Sequence, residues 1–260
     1  MICIFTPLDI ISKGDIIVSQ DIATDQNEVI MMIYITGDTH AEYDNFLNRL
    51  YHYPIGAGDT VIVTGDFCFV RDEMPYSYYL KQLSKEPFTI TFIDGNHDDH
   101  ALINTYPVVD LFGGKAHRIT ENIYHLMRGQ LFTIEGKTFF TFGGAYSHDK
   151  DMRTEGYDWW PEELPGNSDY DTAAGTLNAC NNKVDHMITH TLPQSIIHYI
   201  GRVPEPQEIQ LDSYFEWLYH NCEFKMWYGG HFHINRLVRG NVHILYDEVV
   251  RISENGEAAE

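Results

Sequence analysis

Basic side chains are scarce in this 260-residue chain, which has 17 Lys and Arg residues against 38 Asp and Glu residues and a formal net charge of −21. Tight non-specific binding to a nucleic-acid backbone depends on clustered Lys and Arg side chains. The charge therefore disfavours a protein that processes duplex nucleic acid, and we expect no duplex nucleic acid among its partners.

Cysteines and long apolar runs are also few. The four cysteines, Cys3, Cys68, Cys180 and Cys222, have unrelated spacings and form no Cys-X-X-Cys pair. They are typical of reduced thiols in a cytosolic protein and not of a disulfide framework. No stretch approaches the length of a membrane span, and the amino terminus lacks a basic patch followed by an apolar run. The sequence therefore predicts a cytoplasmic protein without a membrane partner.

The apolar content of 43% is enough for a full core, and chains of 260 residues commonly fold as one domain. The first strand-like segment follows Met31, so residues 1–30 are interpreted as an N-terminal extension that need not belong to the core. Residues 31–251 are predicted to form the domain, and the polar residues 252–260 a tail.

Short runs rich in β-branched and aromatic residues predict strands at 32–36, 61–64, 88–93, 186–189 and 225–228. Helix-compatible stretches lie between them, at 46–53, 76–84, 172–182 and 213–222. Alternation of this kind favours parallel strands joined by crossovers, with polar groups gathered at the carboxyl ends of the strands. Residues that are far apart in the sequence would then meet at one rim.

Polar segments follow each of these strands, and they contain the ligand types of a metal site. They are Gly37-Asp38-Thr39-His40, Gly65-Asp66, Gly95-Asn96-His97-Asp98, His190 and Gly230-His231-Phe232-His233. Asp38 and His40 are two residues apart, so in an extended segment both side chains face one centre. Carboxylate, imidazole and amide groups together suit manganese, iron or zinc better than calcium, and Asp66 is the natural bridging carboxylate.

These five blocks, in this order, resemble the calcineurin-like metallophosphoesterases, and the resemblance covers roughly residues 32–247. It implies a four-layer αββα sandwich of two mixed β-sheets flanked by helices, that is, an α/β (α+β) fold. It also implies a phosphoric ester hydrolase with two divalent or mixed-valence ions. One ion would be held by Asp38, His40, Asp66 and His233, and the second by Asp66, Asn96, His190 and His231.

The chemistry that the resemblance implies is hydrolysis by a hydroxide that bridges the two ions. The ions outweigh the charge of two carboxylates and one hydroxide, so an anionic phosphate is attracted, and they lower the pKa of the bridging water. His97 corresponds to the family's histidine that contacts the phosphate, and a cationic His97 would protonate the departing alkoxide.

The second block departs from the family's phosphoprotein phosphatases. Those relatives carry Gly-Asp-X-X-Asp-Arg-Gly, whereas this chain has Phe69 in place of the carboxylate that orients the histidine, and the Arg71-Asp72 pair is out of register. Asp72 or Asp98 would have to orient His97 instead, and Asp98 is included among the predicted catalytic residues. A protein phosphatase is disfavoured.

Two predicted meanders, at 118–142 and 236–246, are expected to form the second sheet behind the parallel strands that carry the ligands. Between them lies a long aromatic and polar loop at 143–165, and loops of this length in a compact domain are commonly functional.

This loop resembles a Gly-Gly-Ala-X-Ser-X-Asp-Lys and Trp-Trp signature of a bacterial and phage branch of the family. His148 and Arg153 are predicted to reach the phosphate. Tyr157, together with Trp159 or Trp160, is predicted to wall the pocket against a base or another flat leaving group. The alternative is that these aromatic side chains only pack the loop onto the sandwich.

The favoured hypothesis is a phosphoesterase acting on a phosphodiester or phosphomonoester that is small or nucleotide-like. A polynucleotide nuclease would need a basic track, which the sequence does not show. A non-catalytic protein-binding scaffold of the same fold would be expected to lose ligands, and none is missing.

Overall fold

The computed structural model describes residues 31–252 and 258–259, so the predicted N-terminal extension, 1–30, lies outside the described residues. The described part contains two β-sheets. The first comprises β1 (Ile33–Thr36), β2 (Thr60–Val63), β3 (Thr89–Phe92), β4 (Val108–Leu111), β5 (Gly114–Arg118), β6 (Ile123–Leu126), β13 (Val249–Ile252) and β14 (Ala258–Ala259). The second comprises β7 (Gln130–Ile134), β8 (Lys137–Phe142), β9 (His186–Thr189), β10 (Met226–Gly229), β11 (Arg236–Val238) and β12 (Val242–Ile244).

Both sheets are mixed. The spatial order is β14-β13-β1-β2-β3-β6-β5-β4 in the first and β11-β12-β10-β9-β8-β7 in the second. Strands β1, β2, β3 and β6 run parallel to one another, as do β8, β9, β10 and β12, and antiparallel strands complete the edges.

The helices cover the outer faces of both sheets. They are α1 (Tyr43–Tyr51), α2 (Tyr76–Leu83), α3 (His100–Ile103), α4 (Asn167–Ala179), α5 (Gln194–Tyr199) and α6 (Ile209–Asn221), with 3₁₀ turns at Lys150–Met152 and Pro161–Glu163. Phe46 and Leu50 of α1 join a core cluster with Val61 of β2, because apolar residues spaced four apart share one helix face. On the other side, Phe215 of α6 packs in a cluster with Trp227 of β10.

A third apolar cluster fills the space between the sheets. It unites Ile35 of β1 and Ile62 of β2 with Ile188 of β9 and Tyr228 of β10, all fully buried. Alternate residues of each strand thus face the helices or the opposite sheet, as two-sided burial requires. The four-layer αββα sandwich is confirmed by this arrangement.

The prediction that all ligand-bearing strands lie in one sheet and the meanders in the other is wrong. The ligand-bearing strands β1, β2 and β3 lie in the first sheet, but β9 and β10 lie in the second. The meander at 118–142 is also divided, since β6 pairs with β3 whereas β7 and β8 join β9. Strand periodicity reports which residues are buried, but it does not specify which sheet a strand joins.

The last strands of the first sheet include residues that the sequence assigned to the tail. Ile252, assigned to the polar tail, is the last residue of β13 and pairs with Ile33, and Ala258–Ala259 add a two-residue strand beside it. Among the described residues, no helix has the length and apolar character needed to cross a membrane.

Candidate metal centre

The predicted ligands converge where five strands end. Asp38, Asp66 and Asn96 follow the parallel strands β1, β2 and β3, whose carboxyl ends share one edge. His190 and the His231 to His233 segment follow β9 and β10 of the facing sheet. The site therefore lies at the seam between the two sheets, and both sheets contribute to it.

One group of ligand atoms surrounds Asp38. The Nε2 atom of His233 lies 3.2 Å from Asp38 Oδ2 and 2.9 Å from the Nε2 atom of His40. His40 Nε2 is 3.8 Å from a carboxylate oxygen of Asp38 and also of Asp66. This geometry brings together the four residues predicted to hold the first ion.

A second group surrounds the fully buried His190. Its Nε2 atom lies 3.4 Å from Asp66 Oδ2 and 3.2 Å from Asn96 Oδ1. Its Nδ1 atom donates to the Thr64 carbonyl at 2.8 Å, which leaves Nε2 free to act as a ligand. The His231 ring lies 5.1 Å from the His190 ring, between centroids, and its backbone N–H donates to Asp38.

Glycines allow the strand ends to approach so closely. A Cβ atom added at Gly65, which has φ +105°, would collide with the His190 ring, and one added at Gly95 would collide with the Asp66 carboxylate. Asp66, His231 and His233 themselves have φ values of 49°, 66° and 51°. Left-handed backbone at non-glycine residues is costly, and it concentrates at functional sites.

The electrostatics of the site favour a cation. Burial would raise the pKa of Asp66, but the imidazoles of His190, His97 and His40 outweigh it and hold this pKa well below its usual value. Burial lowers the pKa of His190, yet Asp66 and Asp38 raise it to about 10. Two buried carboxylates thus retain a proton on His190 when no other cation is bound.

The residues fit a pair of transition-metal ions. Asp38, His40 and His233 form one group of convergent ligand atoms, and Asp38, Asp66 and His190 form another. Mixed nitrogen and oxygen donors suit manganese, iron or zinc. Asp38 belongs to both groups, and Asp66 lies between His40 and His190, so either carboxylate is placed to contact two ions.

His97 lies at the rim of the centre, with its ring centroid 5.4 Å from that of His40. Burial, opposed by Asp66 and assisted by Arg153, lowers its pKa to about 4. At neutral pH the imidazole is therefore uncharged, so the condition for protonating the departing alkoxide, a cationic His97, is not met. A neutral His97 can donate an N–H hydrogen bond to a phosphoryl or leaving oxygen.

Asp98 does not orient His97. Its fully buried carboxylate accepts hydrogen bonds from the backbone N–H groups of Cys68 at 2.7 Å, Gly95 at 2.8 Å and Phe67 at 3.3 Å. It therefore holds the second and third blocks together, and this structural role replaces the predicted catalytic one. Asp72, the other candidate, is exposed.

Two cavities of about 460 Å³ each flank the centre, and His233 lines both. The first is lined by His40, Glu42, Cys68, Arg71, Tyr76, His97, Arg153, His233 and Tyr246. The second is lined by Tyr146, His148, Ile197, Arg202, Val203, Pro204, Glu205, Glu208, His231, Phe232 and His233. The predicted phosphate contacts Arg153 and His148 thus lie in different cavities.

Arg153 is already engaged by its own loop. Its guanidinium makes a two-point ion pair with Asp149, at 2.6 and 2.7 Å, and also donates to the Asp158 carbonyl. It faces the first cavity from a fixed position.

None of Tyr157, Trp159 and Trp160 lines either of the two cavities. Trp160 is only 2% exposed and lies beneath the Arg71 guanidinium, while the Tyr157 side chain is 63% exposed and lines neither cavity. Trp159 contacts Lys150 within the loop. The alternative of loop packing describes these residues better.

Arg71 is the main residue that the sequence interpretation missed. Its guanidinium donates to the His97 carbonyl at 2.9 Å and to the Tyr157 carbonyl at 3.0 Å, so it ties the long loop to the third block. The only signal for this role is its position five residues after Asp66, and there it is out of register with the Asp-Arg pair of the family's phosphoprotein phosphatases. Tyr246, whose ring stacks on His233 with centroids 4.7 Å apart, had no signal.

A family profile described as calcineurin-like phosphoesterase matches residues 31–235. A search of curated proteins gives no significant match. Among solved structures, the phosphopantetheinyl hydrolase from Mycobacterium tuberculosis is similar, with 18% identity, coverage of 83% of this chain and 90% of that chain, and a TM-score of 0.41.

The matched region includes every predicted ligand, from Asp38 to His233. The chain therefore belongs to the calcineurin-like phosphoesterase family of metal-dependent phosphoric ester hydrolases.

Proposed function

We propose that this protein hydrolyses a small phosphoester with the help of two divalent ions, manganese, iron or zinc, held by the seven predicted ligands. The observation that carries the proposal is the position of Asp66, with one oxygen 3.8 Å from His40 and 3.4 Å from His190. When bound, such ions stabilise charge on the phosphoryl oxygens and lower the pKa of a bound water. A protein nucleophile is then unnecessary.

The side chains around the ions have separate roles in this proposal. His97 donates its imidazole N–H to a phosphoryl or leaving oxygen. Arg153 contributes positive charge to the first cavity, which is where the leaving group would lie. Arg71 fixes the backbone of His97 through the carbonyl contact at 2.9 Å.

The two cavities favour a phosphodiester over a monoester. A diester carries an organic group on each side of phosphorus, and the cavities meet at His233 beside the centre. A monoester would occupy only one of them. Tyr76 and Tyr246 in the first cavity support a flat leaving group, such as a nucleoside. The net charge of −21 counts against a polynucleotide.

The test combines metal content with hydrolysis. Protein loaded with Mn²⁺ or Zn²⁺ would be assayed with bis-nitrophenyl phosphate, nitrophenyl phosphate, and single-stranded and duplex DNA, while elemental analysis counts the ions. We expect two ions per chain and a higher kcat/KM for the bis-ester. The absence of any ester hydrolysis by the two-ion protein would contradict the proposal, and efficient DNA digestion would support a nuclease.

A matched pair of variants separates the loss of a metal ligand from the general effect of replacing a histidine. His40→Asn removes one proposed ligand, whereas His52→Asn changes an exposed histidine at the end of α1. We expect the first variant to lose most activity and the second to keep it.

A further inference from the structure

A buried carboxylate with no role in the ligand set lies behind the metal centre. Glu208, directly before α6, is 3% exposed. One carboxylate oxygen accepts from the Thr191 hydroxyl at 2.6 Å, and the other accepts from the backbone N–H of Tyr146 at 2.6 Å. These donors belong to two separate loops, so Glu208 holds the loops in a fixed relation.

One donor is adjacent to a predicted ligand, and the other is adjacent to a residue that positions a predicted ligand. Thr191 directly follows His190. Tyr146 directly precedes Ser147, whose hydroxyl accepts from the Asn96 amide at 3.1 Å. His190 and Asn96 in turn lie 3.2 Å apart. Glu208 therefore links the segments that carry or position two ligands predicted to share one ion.

Glu208 also lines the second cavity, together with His231 of that set and with His233, which is predicted for the other ion. Among the described residues, however, neither donor to Glu208 adjoins Asp38, His40 or His233, the three residues predicted for the other ion alone. The hydrogen bonds of Glu208 therefore connect segments that do not carry these three residues.

Asp212, one helical turn after Glu208, is completely buried, and no described donor contacts its carboxyl group. Burial and the neighbouring Glu208 raise the pKa of Asp212 to about 9. Asp212 is therefore a neutral acid at neutral pH.

We infer that Glu208 is a positioning residue that builds the site of one ion selectively, the ion predicted at Asp66, Asn96, His190 and His231. The inference rests on the proposed function, because it assumes that two ions bind. Loss of a carboxylate that only stabilised the fold would weaken both ion sites equally. Loss of a carboxylate that sets the distance between His190 and Asn96 would weaken one site alone.

The experiment is a calorimetric titration of the metal-free full chain with Mn²⁺, together with ester hydrolysis. Glu208→Gln keeps the side-chain volume but offers only one acceptor oxygen for two donors. We expect one ion to bind about 10- to 100-fold more weakly, the range typical for partners that orient ligands, while the other ion is unaffected. Turnover should fall with occupancy of the weakened site and recover at high Mn²⁺.

Three further variants make the result specific. Asp212→Asn keeps a neutral, hydrogen-bonding group and should bind both ions within about twofold of wild type. Thr191→Val removes one of the two donors and should weaken the same ion as Glu208→Gln, whereas Thr191→Ser restores the hydroxyl and the affinity. If Glu208→Gln does not fold, the Thr191 pair decides the question.

Equal weakening of both ions, or wild-type affinity for both in Glu208→Gln and Thr191→Val, would overturn the positioning role while leaving the proposed function intact. A wild-type protein that binds fewer than two ions would instead overturn the proposed function, and the positioning role with it. The wild-type titration therefore separates the two failures.

Discussion

The Nε2 atoms of His40 and His233 lie 2.9 Å apart, although 193 positions separate them in the chain. Two imidazole lone pairs cannot face each other at this distance without a proton or a metal ion between them. The pair also lies beside Asp38, whose oxygen is 3.2 Å from His233. This short contact marks the point at which an ion would replace a proton.

Removal of metal should therefore destabilise the fold. An ion that binds only the folded state at 100 times its Kd adds about 2.7 kcal/mol to the free energy of unfolding. We expect a chelator to lower the Tm, and Mn²⁺ or Zn²⁺ to restore it. Ca²⁺ is the control, because it prefers oxygen ligands and should restore little. An unchanged Tm after proven metal removal would contradict this expectation.

Asp66→Asn should weaken the binding of both ions together. The carboxylate lies between His40 and His190, at 3.8 and 3.4 Å, and a neutral amide balances less cationic charge. We expect kcat/KM to fall by more than about 100-fold, beyond the usual effect of residues outside the ligand set. Elemental analysis and ester hydrolysis measure the two losses. Asp72→Asn, at an exposed position, is the matched control, and two retained ions with full activity would refute the assignment of Asp66.

His97→Ala should keep both ions and slow turnover. A hydrogen bond to a charged group contributes about 1.5–3 kcal/mol, which corresponds to roughly 10- to 150-fold in rate. The loss should be larger for a poor leaving group than for nitrophenolate, because charge on the departing oxygen is greater. Equal losses for a nitrophenyl and an alkyl ester would rule out a leaving-group contact and leave only phosphate binding.

The pH dependence of the same reaction tests the charge of His97. Its pKa near 4 means that the imidazole stays neutral from about pH 5 upward. We therefore expect no loss of kcat between pH 6 and 8 from deprotonation of His97. A loss in this range that disappears in His97→Ala would show that the cationic form is required.

Arg71→Lys tests the missed residue. A lysine keeps the charge but cannot bind the carbonyls of His97 and Tyr157 at once, since it lacks the planar fork of arginine. We expect roughly a 5- to 30-fold fall in kcat/KM and faster amide exchange around Tyr157, with both ions retained. Arg118→Lys, whose arginine pairs with Glu121 on the surface, should have no such effect.

His186→Leu should stabilise the protein. The His186 ring in β9 is completely buried against Phe139, and neither ring nitrogen has a described hydrogen-bond partner. Removal of such polar atoms should raise the free energy of unfolding by about 1–3 kcal/mol. Denaturant unfolding measures the change. His220→Leu, on the exposed face of α6, should change it by less than about 0.5 kcal/mol.

The same substitution should reduce acid sensitivity. Burial lowers the pKa of His186 to about 4, whereas a histidine in the unfolded chain titrates near 6.5. Between these values the unfolded chain binds more protons, so wild-type stability falls as the pH drops from 6.5 towards 4. The gain from His186→Leu should therefore grow over this window. A constant difference between the two proteins would contradict a neutral, buried His186.

The order of strands and helices could be predicted because it depends on local patterns, whereas the αββα sandwich followed from the family resemblance. Helices predicted at 46–53 and 76–84 occur at Tyr43–Tyr51 and Tyr76–Leu83, and the Gly-Asp and Gly-His blocks follow strands as expected. Glycine is needed in these blocks for a close approach of backbone to ligand, and this requirement is visible in the sequence.

Long-range contacts could not be predicted in the same way. Asp98 appeared equally able to face His97 or the backbone, and only the folded loops show that it binds the N–H groups of Cys68 and Gly95. The burial of Trp160 beneath Arg71 depends on a contact between residues 89 positions apart. Composition and periodicity carry no information about such partners.

Because the predicted ligands are divided between the two sheets, an ion bound by them would link the sheets across the interior of the sandwich. The hydrogen bond from His190 to Thr64 already joins the sheets at this point. A slight slide of one sheet over the other would separate Asp38 from His233 without disturbing either strand. Side chains of the inner layer, such as Ile35 and Ile188, would then tune ion affinity from a distance, so that core packing and catalytic competence could not evolve independently.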